Sequence, residues 1–557
     1  MNLNWFKKGV IYQIYPRSFK DSSGNGIGDI KGITSKLNYI KSLNIDIIWI
    51  SPIFQSPNKD NGYDVSDYCA ILPEFGTMSD FDELLFEAHQ RDLKIVLDLV
   101  PNHTSDEHDW FKQAKQSKDN NYRDFYIWRK PKPDGSPPNN WPSFFGGSAW
   151  TLDEHTGEYY LHLFTKYQPD LNWENPKVRE AIYEVMRFWL DKGIDGFRMD
   201  VVTLLSKDLS FKDINPKIGF RKIIENHYAN GPKIHDYLHE MHEKVMKHYK
   251  AFSMGEGVGV NQDNAYLYVG EDRKELDMIY HFDILENNIV NGKYEEITEF
   301  NLLNIKKIFR NWHKVIDKGG WIANALGNHD FARLVSRFGN DEKYRKESAK
   351  MLITMMATQN GTLNIYQGDE IGMTNIKLKG IDEVNDIQSR NFYFENLEFQ
   401  NFSNEEALQM INNEGRDNAR TPMQWNAESY AGFSKQKPWL QINPNYKSIN
   451  VESQINDVDS ILNYYKKLLK LKKEHDIFSY GQFKEIEQNN EQVYIYSKIL
   501  DNQKITVFLN FSEYEKHIDY DFSNKKLDLL INNYKFVTKT LSKLKLEPYQ
   551  SLIYKFN

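Results

Sequence analysis

Eight short apolar segments alternate with amphipathic helical segments along most of this 557-residue chain. Each apolar segment is typical of a buried strand, and they lie at residues 10–16, 45–52, 93–101, 196–202, 252–257, 277–284, 321–330 and 363–372. Between the second and third of them, one helical face carries Phe81, Leu84, Leu85 and Ala88. Buried strands that alternate with helices predict an α/β protein with a parallel sheet, and eight such units predict a closed (β/α)8 TIM barrel.

Three parts of the chain depart from the simple barrel pattern. A stretch rich in Trp, Asn, Pro and Gly predicts a small inserted domain at residues 105–172, after the third strand. A second insertion, at about 373–455, follows the eighth strand. From residue 480 the apolar residues alternate, which predicts a C-terminal antiparallel β-sandwich domain at 480–557. The barrel is then formed by residues 1–104 and 173–479.

Composition excludes several classes of protein. The net charge is −8, whereas nucleic-acid binding needs a concentrated basic face, so no nucleic acid is expected as a partner. The single cysteine, Cys69, cannot form an internal disulfide. The N-terminus shows no signal peptide, and no apolar run reaches the roughly 18 residues that a membrane span requires. We therefore expect a cytoplasmic protein without membrane contact, either a monomer or a homodimer.

Charged residues stand at the ends of several predicted strands, where a barrel places its functional groups. The fourth strand reads GFRMDVV, in which Arg198 and Asp200 point to the same side because side chains alternate along a strand. The fifth strand closes with Glu256, and the seventh with His329 and Asp330. Since a neighbouring arginine lowers the pKa of a carboxyl group, Asp200 is predicted to be ionised and is a candidate nucleophile.

The third strand adds polar residues to the same edge through the sequence DLVPNH, which contains Asp98, Asn102 and His103. Any one acid or histidine in such a place is more often a cap or a structural residue. Burying several acids at successive strand ends is costly, however, and favours a shared site. Asp98 is predicted to differ from the others and to fix the turn that follows it.

These strand ends resemble the motifs of one enzyme family. The segments DLVPNH, GFRMD, GEG and NHD are similar, in content and order, to the four short regions of the α-amylase superfamily, glycoside hydrolase family 13. The segments GVIYQIYPRSFKD and GRDNARTPMQW extend the resemblance over nearly the whole chain. The resemblance implies a glycosidase that acts on a small oligosaccharide and needs no cofactor for catalysis.

The resemblance also implies roles for individual residues. Asp200 would be the nucleophile, Glu256 the general acid/base, and Asp330 the residue that stabilises the transition state. Cleavage with retention needs two carboxyl groups about 5 Å apart, with a raised pKa on the acid and a lowered pKa on the nucleophile. Glu256 has only glycines as sequence neighbours, which predicts a less stabilised charge. The residues expected to contact or position the sugar are Asp60, Tyr63, His103, Arg198, His329 and Arg416.

Two features point to a subgroup of the family. The pentapeptide QPDLN and the residue Val201 after the nucleophile resemble the group of oligo-1,6-glucosidase, dextran glucosidase, trehalose-6-phosphate hydrolase and sucrose isomerases. In this group Val at that position accompanies linkages other than α-1,4. We therefore expect a retaining, exo-acting α-glucosidase that removes terminal α-1,6-linked glucose through a covalent glucosyl-Asp intermediate. The alternatives are a broad α-1,4-glucosidase, a trehalose-6-phosphate hydrolase, a sucrose isomerase and a catalytically inactive carbohydrate-binding barrel.

The sequence departs from this subgroup at two places near the proposed catalytic acids. Phe331 and Ala332 stand where relatives usually have Gln-Pro, and Thr203 stands where many have Asn. The contacts of the leaving sugar are therefore not predicted.

The segment DSSGNGIGD resembles a calcium loop, because it places oxygen ligands at alternate positions. The candidate ligands of one structural calcium ion are Asp21, Ser23, Asn25, the Ile27 carbonyl and Asp29. Only two of these are carboxylates, and Gly32 stands where an EF-hand has its final Glu. Weak calcium binding and a glycine-rich turn without metal both stay open.

Overall fold

A computed structural model describes residues 5–215, 217–286, 300–399, 401–522 and 527–556 of the chain. Eight parallel strands close into a barrel in which each strand pairs with its neighbours in sequence order. They are β1 (Val10–Ile14), β2 (Ile47–Ile50), β3 (Lys94–Leu99), β4 (Gly196–Met199), β5 (Phe252–Glu256), β6 (Met278–Tyr280), β7 (Ile322–Asn324) and β8 (Thr362–Tyr366). The predicted (β/α)8 barrel is confirmed.

Helices cover the outside of the barrel. The longer ones are α1 (Met78–His89), α2 (Pro176–Lys192), α3 (Ile234–Lys244), α4 (Leu302–Asp317), α5 (Arg345–Ala357), α6 (Ile387–Phe399), α7 (Asn404–Glu414) and α8 (Ile461–Glu474). In α1 the predicted apolar face is the buried one, and Thr77 and Asp80 cap the helix reciprocally. None of the helices in the described ranges is long and apolar enough to cross a bilayer.

Local sequence signals at the two ends of helix α2 determine where the chain enters strand β4, which carries Arg198. Asn175 caps its first turn, and Pro176 occupies the first helical position, where a missing N–H costs nothing. Gly193 ends the helix with φ at 101°, a left-handed conformation that side chains other than glycine's adopt at a cost. The chain turns there and enters β4, whose four residues are all buried.

Two further units surround the barrel. Between β3 and β4, the strands Trp128–Arg129, Trp150–Asp153 and Glu158–Leu161 form a small antiparallel sheet within the predicted inserted segment. At the C-terminal end, the strands Gln482–Ile486, Val493–Leu500, Gln503–Asn510, Leu527–Asn532 and Ser551–Phe556 form a five-stranded antiparallel sheet. A second sheet of Lys516–Asp519, Thr538–Lys539 and Lys543–Leu546 shares an apolar cluster with it.

The barrel strands are shorter than the apolar segments predicted. Strand β6 ends at Tyr280 rather than at residue 284, and β7 ends at Asn324 rather than at residue 330. Asp330 therefore belongs to the loop after β7, where the side chain of Asn328 accepts its backbone N–H at 2.8 Å. His329 and Asp330 therefore lie in a turn held by Asn328 and not in the strand ladder.

Candidate active site

A cavity of about 220 Å³ lies where the barrel strands end. Asp200, which directly follows β4, and Glu256, the last residue of β5, both line it, as does Asp330 from the loop after β7. The predicted contact residues that also line it are Asp60, Tyr63, His103, Val201 and Arg416. The fold thus brings together the acids that the sequence singled out.

Arg198 connects the two candidate catalytic acids. Its Nη1 atom lies 2.7 Å from Oδ1 of Asp200, and its Nη2 atom lies 2.7 Å from Oε1 of Glu256. Nη1 also lies 2.8 Å from Oδ1 of Asp98, the residue opposite Arg198 in the β3–β4 register. The two terminal nitrogens of one guanidinium are close neighbours, so Asp200 and Glu256 lie side by side. Arg198 is completely buried, and it contacts both acids without itself lining the cavity.

Glu256 has two stabilising partners in the fold, yet its charge is less stabilised than usual, as its sequence neighbours predicted. Besides its contact with Arg198, Oε2 of Glu256 accepts the backbone N–H of Val201 at 2.7 Å. Burial nevertheless raises the pKa of Glu256, with a further increase from the charge of Asp330, while Arg198 lowers it. The net effect is the raised pKa that a general acid requires.

The predicted lowering of the Asp200 pKa is wrong for the free protein. Burial and the neighbouring charge of Glu256 raise the pKa of Asp200 well above its ordinary value, and Arg198 only partly offsets them. Two buried carboxyl groups so close together cannot both ionise freely. The two groups therefore titrate as a pair.

The surroundings of Asp330 lower its pKa, in contrast to those of Asp200. Burial acts to raise its pKa, but His329, Arg416 and Arg420 together hold the pKa well below the ordinary range. Nη2 of Arg420 lies 3.0 Å from Oδ1 of Asp330, and Nε2 of His329 lies 3.2 Å from Oδ2. Burial also lowers the pKa of His329 to about 3, so its ring is neutral near pH 7. Asp330 is therefore ionised near neutral pH, whereas the pKa values of Asp200 and Glu256 are raised.

A connected group of polar residues lines part of the cavity. Nη2 of Arg416 lies 3.4 Å from Oδ1 of Asp60, a residue from the loop after β2. Nε2 of Gln168 donates to Oδ2 of Asp60 at 3.0 Å and lies 3.3 Å from Nε2 of His103. Tyr63 stands beside this group with its ring stacked on His329 at 5.2 Å and 5°. The predicted contact residues therefore form one connected set.

Sequence reasoning missed several members of the site. Asp98 does not fix the turn after β3 as predicted: it pairs with Arg198 and accepts the hydroxyl of Tyr63 at 2.9 Å, because its side chain points into the barrel. Gln168 was visible only as part of the pentapeptide QPDLN. Asp386, just before α6, is fully buried and lies 2.6 Å from Nη2 of Arg416. No sequence motif marked Asp386.

Val201 has a strained backbone. Its φ is 35° and its ψ is 40°, in the left-handed region that β-branched residues rarely adopt. This conformation directs the N–H of Val201 at Glu256 and leaves its side chain on the cavity wall. Strained residues of this kind concentrate at functional sites.

The predicted calcium loop is held by its own hydrogen bonds. The carboxylate of Asp21 accepts the N–H groups of Gly24 at 2.6 Å and Gly26 at 2.8 Å. That of Asp29 accepts the N–H of Ser23 at 3.1 Å. The side chain of Asn25 accepts the N–H of Ile27, its neighbour in the proposed ligand set, at 2.8 Å. Backbone N–H groups therefore point at the side-chain oxygens that a cation would need as ligands. Among the described residues, there is no cluster of three or more His, Cys, Asp or Glu that could hold a metal.

Comparison with known proteins places the chain among carbohydrate-active enzymes. The family model described as "Alpha amylase, catalytic domain" matches residues 13–481. An oligo-1,6-glucosidase of Bacillus cereus is 49% identical over 557 residues, covering 100% of both chains. A trehalose-6-phosphate hydrolase of Bacillus subtilis (strain 168) is 44% identical, covering 99% of this chain and 98% of its own.

Solved structures agree with the architecture. The crystal structure of a trehalose-6-phosphate hydrolase from Bacillus licheniformis superposes with a TM-score of 0.93 at 45% identity, covering 99% of each chain. That of a trehalulose synthase from Pseudomonas mesoacidophila MX-45 gives a TM-score of 0.96 at 43% identity, again covering 99% of each chain.

Proposed function

The chain belongs to the α-amylase family of glycoside hydrolases, and we propose that it is a retaining, exo-acting α-glucosidase of isomaltose-like oligosaccharides. The observation that carries this proposal is the guanidinium of Arg198, which holds Asp200 and Glu256 at 2.7 Å each. Retention requires one carboxylate that attacks the anomeric carbon and one carboxylic acid that protonates the leaving oxygen, close together on the two sides of one bond.

In the proposed reaction, Asp200 forms a bond to the anomeric carbon while Glu256 gives its proton to the departing oxygen. Glu256 then takes a proton from water, which attacks the same carbon and releases Asp200 as a carboxylate. Asp330, held ionised by Arg416 and Arg420, stabilises the positive charge that develops on the sugar ring. For this reaction, Glu256 must carry a proton and Asp200 must be ionised when the substrate is bound.

The polar group that lines the cavity supports attack at chain ends. Gln168 links Asp60 to His103, and Arg416 lies beside Asp60. In the proposed mode of attack, the donors and acceptors of this group hold the hydroxyl groups of one terminal glucose, so cleavage removes one unit at a time.

The α-1,6 preference is supported by Val201 on the cavity wall and by relatives. Four relatives named oligo-1,6-glucosidase are 47–49% identical over nearly the full chain. Trehalose-6-phosphate hydrolysis is the second candidate, because relatives with that name are 44–45% identical over nearly the full chain.

A substrate panel tests the proposal. We expect glucose release from p-nitrophenyl α-glucoside and isomaltose, and a lower kcat/KM for maltose, sucrose, trehalose and trehalose 6-phosphate. NMR at early times should show α-glucose as the first product. A trehalose 6-phosphate kcat/KM above that of isomaltose would establish the second candidate instead, and β-glucose would rule out the mechanism.

Trapping of the intermediate tests the roles of the two acids. Glu256→Ala lacks the base for the second step, so α-glucosyl fluoride, which needs no acid to leave, should add one anhydroglucose unit to the protein. Peptide mapping should place that unit on Asp200. The matched control is the double variant Asp200→Asn/Glu256→Ala, which should stay unmodified.

The structural calcium ion stays a prediction for the 21–29 loop. Its two acids accept N–H groups, and a cation would have to displace them, so we expect any effect of calcium only at millimolar concentration. Thermal unfolding with a chelator and with added calcium tests this. A melting temperature that falls in the chelator alone would show a tight site and contradict the expectation.

The cytoplasmic location and the monomeric or dimeric state also stay predictions. Cell fractionation and light scattering on the purified protein measure them directly.

A further inference from the structure

Arg333 contacts a set of backbone carbonyls beside the proposed active site. It lies three residues after Asp330, is 2% exposed, and does not line the cavity. Its Nη1 donates to the carbonyl of Gln367 at 2.7 Å, and its Nε donates to that of Asn418 at 3.2 Å. Its Nη2 donates to the carbonyl of Ala419 at 2.9 Å. One planar guanidinium therefore joins the loop after β7 to the end of β8 and to the segment around Ala419.

The positive charge of Arg333 is held by these carbonyls and not by an acid. Among the described residues, no carboxylate lies within 4.0 Å of its guanidinium. A buried cation is costly unless hydrogen bonds replace its hydration, and the carbonyls supply those bonds. The carbonyls are in turn held where the guanidinium points, so a change of this side chain would release the segment that carries them.

The carbonyls around Ala419 belong to a segment that supplies two arginines to the site. The short helix Asp417–Arg420 follows Arg416, and carbonyls at the end of a helix have no partner within it. Nη2 of Arg420 lies 3.0 Å from Oδ1 of Asp330, and Nη1 of Arg416 lies 3.4 Å from the same atom. The loop that carries Asp330 thus also carries the cation that holds the helix of these arginines.

A second residue supports one of the carbonyls. The hydroxyl of Tyr366, the last residue of β8, donates to the carbonyl of Ala419 at 2.9 Å. The guanidinium of Arg333 lies 5.3 Å from the ring of Tyr366, within the range of a cation–π contact. The short helix is therefore fixed to the barrel by two separate donors.

From these contacts we propose that Arg333 is a positioning residue for the glycosidase reaction, because it holds the short helix so that Arg416 and Arg420 stay in contact with Asp330. The inference rests on the proposed function, in which Asp330 stabilises the charge that develops on the sugar. Because Arg333 does not line the cavity, its effect on the reaction passes through the two arginines. A shift of the helix would move them away from Asp330 and weaken that stabilisation.

The first test is Arg333→Lys. An ammonium group keeps the charge but cannot reach three carbonyls as the planar guanidinium does. Since small displacements of groups at a reacting centre are costly, we expect kcat/KM for p-nitrophenyl α-glucoside to fall by about ten- to a hundredfold. The matched control is Arg345→Lys, because Nη1 of Arg345 also donates to two backbone carbonyls, those of Ile371 at 3.1 Å and Gly372 at 2.9 Å. It should leave kcat/KM near that of the wild type.

A double-variant cycle shows whether Arg333 acts through the arginines. If it does, Arg333→Lys should cost less in an Arg420→Gln background than in the wild type, because one of the two ion pairs that it supports is already gone. A general loss of structure would instead multiply the two losses. Circular dichroism and the melting temperature of each variant report on the fold beside the activity.

If Arg333→Lys does not fold, Tyr366→Phe repeats the test, since it removes the other donor to the carbonyl of Ala419. We expect it to lower kcat/KM by about two- to tenfold, again with a smaller loss in the Arg420→Gln background. Wild-type activity in the variant that folds, or losses that multiply in its cycle, would overturn the inference. Failure of the glucosidase proposal looks different, because then the wild type itself releases no p-nitrophenol.

Discussion

The backbone N–H of Val201 donates to Oε2 of Glu256 at 2.7 Å, so the residue after the proposed nucleophile holds the proposed acid in place. A second link runs in parallel, from the hydroxyl of Thr203 to the carbonyl of Val258 at 2.7 Å. Asn230 adds a third, from its side-chain amide to the carbonyl of Gly259 at 2.9 Å. The loops after β4 and β5 are thereby fixed to each other at the point where their acids must cooperate.

Val201→Thr should shift the linkage preference toward α-1,4. The change keeps the shape of the side chain and replaces one methyl on the cavity wall by a hydroxyl, and a difference of this size in a pocket is worth about tenfold or more. We expect the ratio of kcat/KM for maltose to that for isomaltose to rise by about tenfold. Val458→Thr, at a position that is 92% exposed, is the control. An unchanged ratio would remove the basis for the α-1,6 preference.

Thr203→Val should lower kcat more than it raises KM. The variant keeps the volume of a fully buried residue but leaves the carbonyl of Val258 without its donor, so the loop that follows Glu256 can shift. Small misplacements of a catalytic group cost about ten- to a hundredfold in rate. Thr203→Ser keeps the hydroxyl and should restore most of kcat. If Ser and Val variants are equally slow, the hydroxyl does not position Glu256.

Arg198→Lys should move the acid limb of the pH–rate profile to higher pH. Arg198 lowers the pKa of both Asp200 and Glu256, and an ammonium group cannot reach both carboxyls as the two guanidinium nitrogens do. Because the ammonium group lies farther from at least one of the two coupled carboxyl groups, the pKa values of the pair rise, and Asp200 ionises only at higher pH. We expect the limb of kcat/KM to shift up by about one pH unit or more, with a lower maximum.

The control for this prediction is Arg91→Lys, a partly exposed arginine that pairs with Glu87 one helical turn away. It should leave the pH profile unchanged. A shift to lower pH in Arg198→Lys would contradict the electrostatic role given to Arg198.

The barrel and its acids could be predicted because their signals are local. A strand that is buried on both faces is a continuous apolar run, and a charged residue at its end stands out, as Glu256 does at the end of β5. The predicted strands extend too far toward the C-terminus, because the apolar run continues into the loop after β7. In that loop the side chain of Asn328 forms a turn, and the backbone does not pair with a neighbouring strand.

The partners of those acids could not be predicted, since barrel closure determines them. Asp386 reaches Arg416 from a segment without any motif. The pKa of Asp200 depends on burial and on Glu256, which is 56 residues further along the chain, more than on Arg198 two residues before it. The sequence shows that a charged arginine, Arg198, lies two residues before Asp200. It does not show how deeply the carboxyl group of Asp200 is buried.

Asp386→Asn should weaken substrate binding while sparing the chemical step. Burial raises the pKa of Asp386, but the charges of Arg416 and Arg420 bring it below its ordinary value, so a buried carboxylate holds these arginines in place. Without that charge, Arg416 can move toward Asp60 and Asp330 and disturb the polar group that lines the cavity. We expect KM for isomaltose to rise by about tenfold or more, with a smaller change in kcat. A lower kcat at unchanged KM would contradict this.

The contact between the barrel and the C-terminal domain contains a buried histidine with a consequence for acid stability. His313 on α4 stacks on Phe483 at 4.1 Å and 11°, and its Nε2 lies 2.9 Å from Oε1 of Gln359. Burial lowers the pKa of His313 from 6.5 to about 3, although Gln359 acts to raise it, and the nearby charge of Lys498 lowers it further. The folded protein therefore keeps this ring neutral in mildly acidic solution.

His313→Gln should lose less stability than the wild type as the pH falls. Below about pH 6.5 the unfolded chain binds a proton at His313 and the folded protein does not, so the wild type loses about 1.4 kcal/mol per pH unit from this group. The variant loses the stacking contact at every pH but has no such proton to bind. We expect its deficit in unfolding free energy to shrink by about 3 kcal/mol between pH 6.5 and pH 4, as measured by denaturant titration. His517→Gln, whose side chain is 66% exposed, should follow the wild type, and a deficit for His313→Gln that stays constant with pH would show that the ring is protonated in the folded protein.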